Sequence, residues 1–495
     1  MKRFAAIFLL GTFVVSASAA HAQPAPVDPY AEPEPAKPPK GKGKKPAAKP
    51  DPKKPDQGAG VLDPYSDRGA GVGMAPPTPP PPTPPTPPTG TGAAGISVSD
   101  FEPTGRFDLA AVQGLLAVQN LDGWLIVDHG GQNPVARSLV AVQGNSTRRW
   151  FYLVPRNGEP TVLCHTSEVA SFANVPGMKI TYTGYRDLDR ILKAMLKGKK
   201  SLAMEYSPKG SLPSLSRVDA GTVELVRAAG VIVKPSDGLV QFAKATWGPE
   251  GRKKHYIAVH HLVELRKDAL GYITNKLMAG SVVSEREVQQ RIEKGMQTRG
   301  LVGPAPVVAF GKNTADPDYV PSAQRSAMLA QGDVIMISLA GKIDGGMYAA
   351  HTWVAVADSA VGPSLQVAFE TASKARDEAL AFVSDRVKRR RAVKGWEVDK
   401  AARDSITRAG MNERLQHRTG HSLDSDLFGS GTDLDDMEVK DQRSLVVGTG
   451  FTVGPGVYAA GELGVRAEVS AYLGKDGLEV TTPAQERVET LLGTK

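Results

Sequence analysis

From Phe107 onward, apolar positions recur in two rhythms. A helical period covers Leu109 to Gln119. Largely apolar runs then follow at 123–127 (Gly-Trp-Leu-Ile-Val), 149–154 (Arg-Trp-Phe-Tyr-Leu-Val) and 161–164 (Thr-Val-Leu-Cys), and these read as strands. Alternating strands and helices predict an α/β domain over 101–247, closing near Gln241 to Trp247. Pro249-Glu250 leads into a second domain, 248–495, with a long helical pattern from Lys253 to Leu277. Ser284-x-x-Glu287 reads as a capping box opening a helix toward Gln297. Strands are expected around Val307–Phe310 and Val334–Ile337, and a helix over Leu365 to Arg389. Gly450 to Leu473 is Gly-rich and strand-like, with a turn at Pro455-Gly456. Strands and helices do not strictly alternate here, so the expected class is α+β.

The chain ahead of these elements has a different texture. Lys2 and Arg3, the apolar stretch Ala5 to Val15 and the small-x-small triplet Ala20-His21-Ala22 predict a signal peptide over 1–22. Cleavage would leave Gln23 first, in an exported protein, periplasmic or extracellular. Residues 23–100, rich in Pro, Lys, Gly and Ala, are expected to be a disordered linker ending in a polyproline II run, Ala75 to Thr89. No later run of about 18 apolar residues predicts a membrane span. Cys164 is the only cysteine, so no intrachain disulfide can form.

The formal net charge of +8 is concentrated rather than spread. Eight lysines between Lys37 and Lys54 face only Asp51, and without them and the leader the remainder is close to neutral. That distribution argues against a nucleic-acid partner. The Lys-rich arm could touch an anionic surface weakly, with a solvated spacer as the plainer reading.

Five segments between residues 311 and 468 carry candidate chemistry. They are Gly311-Lys-Asn-Thr-Ala-Asp-Pro-Asp-Tyr-Val-Pro321, Gly332-Asp-Val-Ile-Met-Ile-Ser-Leu339, Tyr348-Ala-Ala-His-Thr-Trp-Val354, His417-Arg-Thr-Gly-His421 with Leu427-Phe-Gly-Ser-Gly431, and Gly450-Phe-Thr-Val-Gly-Pro-Gly-Val-Tyr458 with Gly464-Val-Arg-Ala-Glu468. In this order they resemble the pita-bread metallopeptidase family: Xaa-Pro aminopeptidases, Xaa-Pro dipeptidases and creatinase. The resemblance implies a pita-bread C-terminal domain behind a creatinase-type N-terminal domain.

It also implies two divalent cations held by two aspartates, a histidine and two glutamates. By that resemblance His421 and Glu468 keep ligand positions, whereas Ser338 and Ala350 stand at the aspartates and Gly454 at a glutamate. His417 and Arg466 keep substrate-side positions, and Asp318 and Phe428 replace substrate-side histidines. Hard cations need anionic oxygen ligands, so a dinuclear site is not expected, and the cofactor is none or one divalent metal, Zn or Mn. His351 could complete a set with His421 and Glu468. Adjacent strand residues face opposite ways, however, so His351 should point away if Ala350 holds the ligand place. A one-residue shift would reverse that.

Asp344 and Glu462 read as solvated loop carboxylates, His255, His260 and His261 as surface histidines, and Asp433 to Glu438 as a solvated turn. Two functional classes remain. One is a non-catalytic binding or scaffold protein, taking short proline-containing peptides or a protein ligand and leaving homodimerisation open. The other is a metal-dependent hydrolase of the Xaa-Pro type with a single or atypical metal.

Overall fold

Asp108 caps the first helix, α1 (Leu109–Val118), by accepting from the Ala111 amide, in a computed structural model that describes residues 107–493. The expected leader and linker lie outside the described residues. There follow β1 (Gly123–Asp128), α2 (Pro134–Leu139), β2 (Trp150–Pro155), β3 (Thr161–His165), β4 (Met178–Tyr182), α3 (Tyr185–Leu196), β5 (Ser201–Met204), α4 (Ala220–Ala228) and β6 (Ile232–Pro235). They build a six-stranded sheet in the order β4-β3-β2-β1-β5-β6. The central strands β1 and β2 are buried at every position, which is why their sequences run apolar without alternation. After α5 (Asp237–Val240) the backbone makes a π-helical turn, Gln241–Ala245.

The next stretch begins with α6 (Pro249–Met278) and α7 (Glu285–Thr298), then β7 (Leu301–Val302), β8 (Val307–Phe310), β9 (Val334–Ile343) and β10 (Ala349–Val356). The Ser284 side chain accepts from the Glu287 amide, as an N-cap should. A second helix pair, α8 (Pro363–Lys388) and α9 (Gly395–Arg408), precedes β11 (Ser422–Leu423), β12 (Thr449–Val453), β13 (Gly456–Ala459), β14 (Leu463–Arg466), β15 (Val469–Gly474), β16 (Gly477–Val480) and β17 (Glu489–Thr490). One sheet runs β17-β10-β9-β7 with β8 also on β9, another β11-β12-β15-β16, and β13 pairs with β14. Each sheet region packs on a helix pair. Val308, Ile335, Ile337 and Leu339 share a core with α6 and α7 residues such as Leu262 and Ile292, while Val453, Val465 and Val469 share one with Phe369 of α8 and Val398 of α9. This is the pita-bread α+β architecture. Among the described residues no helix is long and apolar enough to cross a membrane.

The π-helical turn is tied to the loop that follows β11. Lys244 Nζ donates to both Asp424 oxygens at 3.0 Å and to Asp426 at 2.8 Å, and the Trp247 indole donates to the Leu423 carbonyl at 2.8 Å. Gly450 is required beside that indole, since a Cβ there would stand 1.9 Å from the Trp247 ring.

Candidate functional site

Strand alternation decides which side chains can meet. β9 and β10 pair antiparallel with Ser338 opposite Thr352 and Leu339 opposite His351. Ala350 and Thr352 share one face of β10, and His351 and Trp353 the other. The first face closes a cavity of about 460 Å³ whose lining includes Asp318, Ser338, Ala350, His417, His421, Phe428, Gly454, Arg466 and Glu468. His421 enters at the start of β11, Gly454 leaves the end of β12, and Arg466 and Glu468 flank the step from β14 to β15.

Glu468 is held by hydroxyls. Thr352 Oγ1 donates to Glu468 Oε2 at 2.7 Å, and Ser338 Oγ lies 2.6 Å from Thr352 Oγ1. A carboxylate only accepts, so Thr352 spends its proton on Glu468 and Ser338 must donate to Thr352. Gly454 makes room for this arrangement: a Cβ there would stand 2.8 Å from both Cβ and Cγ of Glu468.

Both cavity histidines have defined tautomers. His421 Nδ1 faces the Ser422 carbonyl at 3.1 Å and so carries the hydrogen, leaving Nε2 a lone pair. Burial lowers its pKa against the opposing pull of Glu468, and its ring lies 4.6 Å from Phe428. His417 Nδ1 donates to the Arg418 carbonyl at 2.7 Å, while its Nε2 accepts from Tyr458 Oη at 2.7 Å. Burial, with Arg466 nearby, pushes His417 down to about 3. Arg466 Nε donates to the same Tyr458 oxygen at 3.0 Å, and its Nη2 to the Pro317 carbonyl at 3.1 Å. The chain Arg466–Tyr458–His417 therefore occupies the ring nitrogen that would otherwise face a ligand.

His351 is not gathered into this group. It is fully buried with neither ring nitrogen hydrogen-bonded to a described residue, and burial beside Arg266 of α6 pushes its pKa down to about 3. Asp344 and Glu462 are exposed and line no part of the cavity. His255 departs from the surface expectation: it is buried, with its nitrogens bonded to the Tyr348 carbonyl and Thr481 Oγ1 at 2.8 Å each. The acidic segment 433–438 is braced rather than solvated. Asp435 is fully buried and accepts three amides, from Met437, Glu438 and Val439, and Asp433 accepts that of Ser422. Alternation of charge along the chain carries no sign of that bracing, because the donors are backbone amides.

Thr352 and Tyr458 are site residues that sequence reasoning assigned no role. Both lie inside segments 348–354 and 450–458, and their side-chain chemistry beside Ser338 and His417 was the available signal. Among the described residues no group of three or more His, Cys, Asp or Glu side chains is placed to hold a metal ion.

Residues 258–474 match the model of Peptidase_M24, metallopeptidase family M24. The chain is 26% identical over 337 residues to the putative dipeptidase YkvY of Bacillus subtilis, covering 66% of this chain and 84% of that protein. It is 26% identical over 212 residues to the Xaa-Pro dipeptidase of Lactobacillus helveticus, covering 42% of this chain and 51% of that protein. Among solved structures, dipeptidase PepE from Mycobacterium ulcerans superposes with TM-score 0.61 at 20% identity, covering 78% of this chain and 99% of that one. A prolidase from Thermococcus sibiricus does so with TM-score 0.55 at 19% identity, covering 77% and 98%. Residues 258–474 therefore form a region similar to metallopeptidase family M24, the pita-bread family.

Proposed function

We propose that this is an exported, Xaa-Pro peptidase-like protein that holds a ligand in its cavity without hydrolysing it. The observation that carries this reading is the packing of Glu468 against Gly454. The space a side chain at 454 would need is filled by Glu468 itself, one of whose oxygens accepts from the Thr352 hydroxyl. Ser338 and Ala350, the other two positions that by resemblance correspond to carboxylate ligands, bring no charge to the same cavity. A pair of hard cations needs several anionic oxygens, and these residues do not fit one. Relatives named Xaa-Pro dipeptidase make short proline-containing peptides the first ligand class to test, ahead of an unidentified protein segment.

The retained His421 and Glu468 favour a second reading, a hydrolase with one atypical metal. Two ligands are a weak hold, and His351 lies on the opposite face of β10 from Ala350.

The test is to load the purified mature protein with Mn²⁺, Zn²⁺ or Co²⁺, dialyse, measure metal content, and assay peptides with proline second. Neither bound metal nor turnover is expected. Two metals per chain with turnover abolished by His421→Ala would overturn the reading, and one metal with weak turnover would select the second. Export is checked by mass spectrometry of the secreted chain, with Gln23 expected first.

A further inference from the structure

Among the described residues, three acceptors in the cavity have no donor. Glu468 Oε2 is engaged by Thr352, but among the described residues nothing donates to its Oε1. His421 Nε2 is a bare lone pair because Nδ1 holds the hydrogen. Ser338 has given its proton to Thr352, so its oxygen can only accept. All three residues line the cavity. Among the described residues Glu468 makes no direct ion pair: Arg466, whose charge bears on it through space, gives its hydrogens to Tyr458 and the Pro317 carbonyl. A carboxylate oxygen left without a donor in a partly dehydrated cleft is costly, and a cation that donates to it relieves that cost.

We propose that this cation is a protonated primary amine on the ligand itself, bound without metal by Glu468, His421 and Ser338. This rests on the reading that no cation pair occupies the cavity. An ammonium group brings one positive charge and three N–H donors, matching one anionic and two neutral acceptors. A divalent metal at the same place would meet a single carboxylate. The apolar body of the ligand has its own wall in Val307, Val320, Leu427 and Phe428, the last 66% exposed at the rim while packing on His421. The ligand class is therefore an amine with an apolar substituent next to it. The free amino end of a peptide and a simple arylalkylamine both satisfy that chemistry.

Titration calorimetry with full-length mature protein in excess EDTA tests this, with benzylamine, benzyl alcohol, alanyl-proline and N-acetyl-alanyl-proline as probes. Benzylamine is expected to bind and benzyl alcohol not to. Binding of alanyl-proline but not its acetylated form would identify a peptide amino end as a source; benzylamine alone would identify a simple amine. Glu468→Gln should weaken binding about tenfold or more, as loss of a charge-assisted hydrogen bond does. Ser338→Ala, which removes one hydroxyl and little else, should weaken it several-fold and serves if Glu468→Gln does not fold. Equal binding of amine and alcohol, binding that appears only with added Mn²⁺ or Zn²⁺, indifference to both substitutions, or no amine binding would overturn the proposal. Two tightly bound metals would instead overturn the non-catalytic reading, whereas a metal-free protein that ignores amines would defeat only this inference.

Discussion

Tyr319 donates its phenolic hydrogen to Glu285 at 2.5 Å, across 34 residues of sequence. Glu285, fully buried at the first position of α7, also accepts from the Phe310 and Ala327 amides at 2.6 Å and from Asn313 Nδ2 at 3.0 Å. One carboxylate thus pins both ends of the loop that brings Asp318 to the cavity and the Pro317 carbonyl to Arg466. Tyr319→Phe is expected to cost about 1.5–3 kcal/mol, the range for a hydrogen bond to a charged group. Glu285→Ala, which leaves several buried donors unpaired, should cost more. Urea unfolding of the two variants measures both, and a Tyr319→Phe protein as stable as the parent would refute the account.

The Lys244–Asp424 pair gives a second prediction. Both side chains are buried, and Lys244→Met would leave Asp424 charged without its cation, at about 3–5 kcal/mol. Hydrogen exchange should show the amides of 424–431 opening first. Uniform loss of protection across the chain would contradict that locality.

Glu205 predicts a pH dependence. It is fully buried, and its side-chain donors among the described residues are neutral: the Trp124 indole at 2.6 Å, Asn133 Nδ2 at 3.0 Å and Ser236 Oγ at 3.1 Å. Burial raises its pKa from 4.5 to about 7. The folded chain therefore holds a proton that the unfolded chain releases, so this stabilisation is complete below pH 4.5 and is lost as pH rises through about 7. The contribution is on the order of 3 kcal/mol. Urea midpoints between pH 5 and 8 should fall, and Glu205→Gln should flatten that part of the slope. An unchanged slope in the variant would assign the effect to another group.

Gly454→Ala should destabilise the protein by about 1–3 kcal/mol, because its methyl carbon overlaps Cβ and Cγ of Glu468. Adding Glu468→Ala removes Cγ and should recover part of that loss. Purely additive destabilisation in the double variant would show that the two positions do not compete for space.

Elements with a simple rhythm were legible in the sequence. The buried strands β1 and β2 and the long helices α6 and α8 announce themselves through unbroken apolar runs or a helical period. Motif order was likewise enough to name nine residues that the fold gathers on one cavity. What stayed hidden were partnerships. Glu205 and Trp124 are 81 residues apart, Lys244 and Asp424 180, and nothing local marks either pair. The engagement of His417 by Tyr458, 41 residues on, is similarly a product of the β13–β14 turn. The sequence groups His255 with the diverging neighbours His260 and His261 as a surface residue, yet it faces Trp247, with rings 4.5 Å apart.

The closeness of Gly454 and Glu468 also ties the two positions together. Any side chain introduced at 454 would have to displace Glu468 from its present place, so a single change there lowers stability unless the Glu468 side chain turns away. Substitutions at Ser338 and Ala350 leave that crowding in place. Positions 454 and 468 therefore act as one coupled unit, in which a change at either is felt first by the other.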